Sequence, residues 1–258
     1  MHTIELRTKG AHMKTLNITV FVMFMLVCLA SAAYPQRLGL DSGTGTPDFS
    51  GGGYWAAWDP TQERLIFRRD VDDPASAGVR VVNRDGTSIA LFPGRDFSGS
   101  QFVDIWDAAA APDGDIVISA VIGYGSKKAG RIPTRLVVLT YDSSGTLRKV
   151  WETKPYHIHL LAPDSEGNVF AFGHSDNASD ETPLFLKYST QGEVLKGFLA
   201  AKTFSAKGDV AHTPSETGEN RLFFADSRLY LFVALSRELF VFSPDGALLS
   251  RASLVGAF

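Results

Sequence analysis

Apolar residues in this chain occur in short alternating runs rather than at helical spacing. Four times, an apolar run enters a tight turn that contains a glycine and leaves it as a second run: VRVVNRDGTSIALF, RLVVLTYDSSGTLRKVW, PLFLKYSTQGEVLKGF and RELFVFSPDGALLSRASL. The glycines are Gly86, Gly145, Gly192 and Gly246, which lie 59, 47 and 54 residues apart. Alternation on both sides of a glycine turn predicts a β-hairpin at each place.

A second hairpin is predicted ahead of each of these. Its turn is expected at Asp59-Pro60, at Ala110 to Gly114, at Ala162 to Gly167 and at Asp226-Ser227. Two hairpins make a four-stranded unit, and repeated four-stranded units without helical periodicity are typical of a β-propeller. The sequence therefore predicts an all-β propeller with about four visible blades over residues 54–258.

Large side chains recur at fixed distances before the turn glycines. Val82, Tyr141, Tyr188 and Phe242 lie four residues before them, and Arg80, Leu139, Leu186 and Phe240 lie six before them. Side chains at such positions are expected to be buried between neighbouring sheets, so the aromatic ones are interpreted as core rather than ligand-binding residues.

The paired motifs AAAAPDGDIVI with LVVLTYDSSGTL, and LLAPDSEGNVFAF with LFLKYSTQGEVL, resemble the NHL-like repeats of six-bladed β-propellers. The resemblance covers most of residues 54–254 and implies a ring that usually closes with six blades. Four blades leave three alternatives open. Either the chain is a piece of a longer protein, or two degenerate blades lie in the loops, or the ring has only four or five blades.

The N-terminal segment has the pattern of a secretory signal peptide. Lys14 precedes the apolar run ITVFVMFMLVCL, and the small residues 30–33 follow it. Residues 1–33 are therefore predicted to be a signal peptide, with Met13 as a plausible start and residues 1–12 upstream of it. Residues 34–53 are a Gly/Ser/Thr-rich lead-in expected to be flexible. The protein is expected to be secreted or periplasmic; the alternative is an N-terminal membrane anchor.

The composition limits the classes of partner and of chemistry to be expected. Without residues 1–33 the chain has 22 basic and 27 acidic residues and no cysteine, since Cys28 is the only one. This acidic balance gives no electrostatic footprint for nucleic acid, and no membrane contact is expected beyond the signal segment. No thiol remains to act as a nucleophile, and the G-x-S-x-G pattern of an esterase is absent.

Propeller ligands normally bind where the innermost strands converge. When the turn prolines Pro112 and Pro163 are aligned, the residues upstream of them become the candidate binding set: His157, His159, Asp104, Trp106 and Asp107, with Tyr54 and Trp55 in the first blade. Two histidines at i and i+2 on a strand project to one face, where they can share a metal. His157 and His159 are thus candidate metal ligands, and His174 or His212 is a candidate third ligand. The alternative is a solvated or hydrogen-bonded pair.

Two acidic loops, residues 70–74 and 175–181, have the oxygen-rich composition that calcium prefers, but neither has EF-hand spacing. The sequence favours an exported, non-catalytic module that binds an unidentified protein or small-molecule ligand, with no cofactor. The alternative is a metal-dependent hydrolase or lyase that holds zinc or calcium in the central channel. A resemblance to lactonase-like propellers would imply an early glutamate ligand, and GGGYWAAWDP has none at that place.

Overall fold

The computed structural model describes residues 54–59, 63–69, 77–125, 134–177, 179, 181–200, 220–234 and 236–254, all within one compact unit that spans Gly43–Phe258. The predicted signal peptide, the lead-in, His212 and the loop at residues 70–74 lie outside these residues. No helix in the described part of the chain is long and apolar enough to cross a membrane.

The predicted all-β propeller is confirmed, because the described residues form four sheets of four antiparallel strands each. Blade 1 consists of β1 (Tyr54–Asp59), β2 (Arg64–Arg69), β3 (Gly78–Val82) and β4 (Ser88–Leu91). Blade 2 consists of β5 (Phe102–Ala110), β6 (Ile116–Gly123), β7 (Thr134–Tyr141) and β8 (Leu147–Glu152). One helical turn that the pattern did not predict, α1 (Pro93–Asp96), joins them.

Blade 3 consists of β9 (Tyr156–Pro163), β10 (Val169–Ser175), β11 (Pro183–Tyr188) and β12 (Val194–Ala200). Blade 4 consists of β13 (Arg221–Ala225), β14 (Arg228–Val233), β15 (Glu238–Phe242) and β16 (Leu248–Ser253). Within each sheet the strands follow chain order, and the first strands pack in series, β1 on β5, β5 on β9 and β9 on β13. The first strand of each blade is therefore the innermost one.

All four predicted glycine turns join the third and fourth strands of a blade. Gly86, Gly145, Gly192 and Gly246 have φ between +84° and +88°, where a side chain would be strained. Gly192 and Gly246 also lie against the preceding blade. A Cβ on Gly192 would come within 2.4 Å of the Trp151 ring, and one on Gly246 within 2.4 Å of the Phe198 ring. In blades 3 and 4 this turn thus fixes both the hairpin and its contact with the blade before it.

The core lies between consecutive sheets, as the alternating pattern predicted. Tyr141, Tyr188 and Phe242 are at most 2% exposed. Tyr141 packs between blades 1 and 2, Tyr188 between blades 2 and 3, and Phe242 between blades 3 and 4. Val82 and Arg80 are only half-buried. Their neighbours Val79 and Val81 face blade 2, so Val82 and Arg80 face the side of blade 1 that points away from it.

Candidate functional site

The first strands of blades 2 and 3 each contain one residue that has no partner on the neighbouring strand. In β5, Ile105 pairs with Ala120 and Asp107 with Ser119, which leaves Trp106 as the extra residue of a β-bulge. A bulge bends a strand and re-aims a side chain, and bulges are common next to binding sites.

The bulge of blade 3 has the same position. Ile158 pairs with Gly173 and Leu160 with Phe172, so His159 is the extra residue of β9. Gly173 is required here, because a Cβ on it would lie 1.8 Å from the His157 carbonyl oxygen. The two innermost strands therefore carry matching bulges, one presenting a tryptophan and the other a histidine.

The alignment on prolines is wrong by two residues. The equivalent turns are closed by Ala111 N–H donating to Asp115 O and by Asp164 N–H donating to Asn168 O, both at 2.8 Å. Pro112 lies inside the first turn, whereas Pro163 is the last residue of β9 and precedes the second. When the two turns are matched instead, Trp106 and His159 occupy equivalent positions in their blades, whereas the proline alignment made Trp106 equivalent to His157.

The two bulged side chains meet between the blades, where two further histidines join them. We call Trp106, His157, His159 and His174 the ring cluster. Trp106 and His159 stack with centroids 4.5 Å apart and planes 2° apart, and Trp106 and His157 stack at 5.4 Å. His174 stacks on His157 at 4.8 Å and on His159 at 4.9 Å. The four rings close a cycle of contacts in which each ring touches two others.

Hydrogen bonds hold the cluster together and connect it to solvent. His159 Nε2 and His174 Nδ1 lie 2.8 Å apart, and His157 Nε2 lies 2.7 Å from Asp176 Oδ1. Asp176 is in the loop after β10, and its side chain is 48% exposed, against 21% for His157. The Nδ1 atoms of His157 and His159 are buried without a hydrogen-bond partner among the described residues. His157 and Asp176 therefore form the outer rim of the cluster, and His159 lies inside it.

Burial controls the charge of His159. Desolvation, and then repulsion from His174 and His157, lower its pKa to about 3. A neutral imidazole has one N–H donor and one lone pair, so the contact with His174 needs the two rings in complementary tautomers. His159 is thus a fixed neutral member of the cluster at physiological pH.

Asp107 follows the bulged tryptophan and is 3% exposed. Its Oδ2 accepts a 2.7 Å hydrogen bond from the Leu161 N–H of β9, and its Oδ1 is buried with no partner in the described part of the chain. Burial raises the pKa of Asp107 to about 7, although the backbone N–H groups of Leu161 and Ala108 and the charges of Arg221 and Arg68 oppose the shift. The carboxyl therefore links blades 2 and 3, one residue after Trp106 on β5 and two residues after His159 on β9.

The predicted site residues fall into two groups. Trp106, His157 and His159 come together in the cluster, and Asp107 follows Trp106 on β5. Asp104 lies earlier on β5, opposite Val121, and is half-buried. The backbones of Tyr54 and Trp55 lie on β1, but their side chains are outside the described part of the structure.

Sequence reasoning missed Asp176, which it placed in an acidic loop, and named His174 only as a third metal ligand. The signal that finds both is the pairing of β9 with β10, in which His157 lies opposite His174, one residue before the end of β10.

The geometry of the cluster also bears on metal binding. Among the described residues, no group of three or more His, Cys, Asp or Glu side chains is arranged to hold a metal ion. The rings of His157 and His174 are parallel to within 1°, and lone pairs in parallel ring planes do not converge on one ion.

The fold and the cluster define a β-propeller whose distinctive side chains lie between its second and third blades. No protein-family model and no curated protein matches the chain. Among solved structures it is similar to a protein of unknown function from Bacteroides caccae, with 12% identity and a TM-score of 0.44 over 79% of this chain and 62% of that one.

It is also similar to a luciferin-regenerating enzyme, with 11% identity and a TM-score of 0.46 over 78% of this chain and 76% of that one. The WD40 domain of Neurospora crassa Pan2 aligns with 10% identity and a TM-score of 0.45 over 81% of this chain and 52% of that one. The chain thus spans less than two thirds of the first and third of these proteins. The likeness concerns the fold alone.

Proposed function

We propose that this protein is a binding module that engages a protein or small-molecule ligand at the rim of the ring cluster. The observation that carries the proposal is the meeting of two matching bulges, which direct Trp106 and His159 into one stack. Bulges that disrupt the ladder at equivalent places in two blades are hard to explain by packing alone, since apolar side chains fill the remaining space between these sheets.

The hydrogen bonds favour binding over nucleophilic catalysis. His157 and Asp176 form a pair of the kind that activates a serine, but an activated nucleophile must lie at the other ring nitrogen. His157 Nδ1 is buried and has no hydrogen-bond partner among the described residues. The pair therefore supplies polar groups for recognition, on a base of stacked rings.

The test compares the ligands selected by the wild-type protein with those selected by a variant whose site is disabled. A phage-displayed random peptide library and an oligosaccharide array are probed with the full-length protein and with the double variant His157→Ala/His174→Ala. Ligands of the rim are expected to lose at least about tenfold in affinity for the double variant, because it removes two of the three half-buried rings of the cluster, including the one at the rim.

Arg148→Ala is the matched control. It removes a surface ion pair with Asp142, 3.0 Å long, on the outer strand of blade 2, and is expected to retain every ligand. The thermal unfolding midpoint of each variant is measured to establish that it folds. If no probe binds, or if every probe binds the double variant as well as the wild type, the proposal fails.

The second candidate is the metal-dependent hydrolase or lyase. It is favoured by the contact of His174 with both His157 and His159, and by Asp176 at 2.7 Å from His157. Purified protein is analysed for zinc and calcium after growth in supplemented medium. Stoichiometric metal that is lost in His157→Ala supports this candidate, and metal-free wild-type protein eliminates it.

We also propose that the protein is exported and that its repeats are NHL-like. Both proposals rest on the sequence, through the apolar segment before residue 33 and the paired hairpin motifs. N-terminal sequencing of the protein from its native host tests export. A mature terminus near residue 34 supports it, and an intact leader contradicts it.

A further inference from the structure

The N–H donors of the two histidines on β9 are used within the ring cluster. His157 Nε2 lies 2.7 Å from Asp176 Oδ1, and an ionised carboxylate only accepts hydrogen bonds, so Nε2 carries the N–H of this contact. His159 Nε2 lies 2.8 Å from His174 Nδ1 and is occupied by that contact. The Nδ1 atoms of His157 and His159 are both buried. Neither ring therefore offers a ligand a free N–H at the rim.

Asp176, in contrast, has acceptor capacity left. A carboxylate has about four lone-pair sites on its two oxygens, and the one side chain that contacts Asp176 among the described residues is His157. The backbone N–H of Asp176 donates to the Pro155 carbonyl oxygen at 2.9 Å, which ties the residue to the loop between β8 and β9. Its side chain is 48% exposed, so the remaining lone pairs are open to solvent. The rim thus offers a ligand acceptors.

The charge of the rim matches this excess of acceptors. An imidazole is ordinarily neutral above about pH 7, and a positive His157 would also bury an N–H at Nδ1 with no acceptor among the described residues. The His157–Asp176 pair then carries one negative charge. Lys154 precedes Pro155 and is exposed, but it forms no ion pair with Asp176 in the described part of the chain. The carboxylate therefore has no basic side chain of Lys or Arg paired with it there.

The stacked rings behind His157 hold this carboxylate in place. His157 stacks on Trp106 at 5.4 Å and on His174 at 4.8 Å, and its N–H in turn orients Asp176. A side chain that is already ordered loses little rotamer freedom when a ligand binds. Most exposed carboxylates lack such support and bind a cation weakly, because both partners must be ordered. Glu193, in the turn between β11 and β12, is an example, since its carboxylate has no partner among the described residues.

We propose that the rim of the ring cluster binds an organic cation, and that Asp176, held by His157, is the counter-charge. This inference rests on the proposed binding function and names the ligand class of that site. A guanidinium fits best, because its planar fork donates two parallel hydrogen bonds to a carboxylate, whereas an ammonium is a point charge. An anion is disfavoured, since it meets the charge of Asp176 and finds no free N–H on His157 or His159.

The experiment titrates four blocked tripeptides, acetyl-Gly-X-Gly-amide, into the full-length protein at pH 8 by isothermal titration calorimetry. X is arginine, citrulline, lysine or glutamate, and citrulline has the shape of arginine without its charge. The arginine peptide is expected to bind most tightly and the lysine peptide more weakly. The citrulline peptide should bind at least about tenfold more weakly than the arginine peptide, because it loses the charge-assisted hydrogen bonds, and the glutamate peptide should not bind.

Methylguanidine is the fifth probe, because a guanidinium can come from a protein side chain or from a free small molecule. An affinity equal to that of the arginine peptide assigns the site to a small cation. Tighter binding of the peptide assigns it to an arginine side chain of a partner protein. Either result supports an organic cation as the ligand.

Three variants locate the site on the protein. Asp176→Asn keeps the shape of the side chain and removes its charge, so the arginine peptide should lose at least about tenfold in affinity. His157→Phe keeps a ring in the stack but removes the N–H that holds the carboxylate, and should cost about fivefold, the effect of one net hydrogen bond. Glu193→Gln is the matched control, because it neutralises an exposed carboxylate at the opposite end of blade 3 and should leave the affinity unchanged. The thermal unfolding midpoint of each variant establishes that it folds.

Four results would overturn the inference. The arginine peptide does not bind at millimolar concentration, or the citrulline peptide binds as tightly, or Asp176→Asn loses no more affinity than Glu193→Gln, or His157→Phe binds like the wild type. The binding function fails separately. A neutral or acidic ligand that the selection finds at the same rim would keep that function and contradict the cationic ligand class.

Discussion

The buried carboxyl of Asp107 should make the stability of this protein fall as pH rises, and Asp107→Asn should remove that dependence. The pKa of Asp107 is about 7 in the folded protein, against 3.8 for the exposed carboxyl. Between these values the folded state keeps a proton that the unfolded state has released. Stability from this group is therefore fully present below pH 3.8 and is lost as pH rises to about 7.

The magnitude follows from the width of that window. Each pH unit within it changes the free energy of unfolding by about 1.4 kcal/mol, which gives about 4 kcal/mol in all and about 3 kcal/mol between pH 5 and pH 8. Asparagine has almost the same shape and carries no charge. The difference in unfolding free energy between Asp107→Asn and the wild type should therefore grow in favour of the variant by about 3 kcal/mol from pH 5 to pH 8.

Urea unfolding of both proteins at half-unit steps of pH measures this difference. Subtracting the unfolding free energy of one protein from that of the other cancels the contributions of all other titrating groups. The slope of this difference against pH tests the reasoning, whatever constant change in stability the new amide causes. Asp115→Asn, which changes a carboxyl in a turn of blade 2 that is only half-buried, is the control and should give a smaller slope. A difference that stays flat or falls as pH rises would refute the reasoning.

Three further predictions concern the cluster and its supports. His159 has a pKa of about 3 in the folded protein, against 6.5 when exposed, so the stability that its neutral ring contributes is lost as pH falls from 6.5 to about 3. In urea unfolding, the stability of His159→Phe relative to the wild type should therefore rise by about 3 kcal/mol between pH 7 and pH 4. Gly173→Ala should cost more than 2 kcal/mol in thermal unfolding, because its Cβ would meet a backbone oxygen at 1.8 Å. Asp59→Ala should cost about 3–5 kcal/mol in urea unfolding, because it strips the partner from Arg64, whose Nη2 lies 2.8 Å from the carboxylate and is buried with it.

Each of these has its own control. For the histidine, an unchanged dependence on pH after the substitution contradicts the assignment. For the glycine, Gly86→Ala is matched, since it has φ +84° but open space around it and should cost about 1 kcal/mol; equal losses at the two positions would contradict the close contact. For the ion pair, Asp59→Leu/Arg64→Met should be more stable than Asp59→Ala, and the opposite order would show that an unpaired buried charge is not the cause.

The hairpins and the core were predictable because local chemistry determines them. A glycine at positive φ makes the tight turn whatever surrounds it, and alternation assigns Tyr141, Tyr188 and Phe242 to one face of their strands. Which side chains come together in the ring cluster was predictable in part. His157 and His159 stood out as a pair two residues apart, and Trp106 was selected because it lies upstream of the turn at Pro112. What this pair binds remains a prediction.

The four two-hairpin units, their turn glycines and their buried faces follow from local sequence, because they depend on residues that are neighbours along the chain. The places where strands slip by one residue follow only from the pairing of strands in the folded protein. The bulges at Trp106 and His159 arise from pairing with β6 and β10, and they set the repeat alignment that the prolines had misplaced. The contact between the two bulges, and the hydrogen bond of Asp107 that joins their strands, depend on how one blade packs on the next. No spacing along the chain encodes the distance between the two bulges, since that distance results from all the side chains packed between the two sheets.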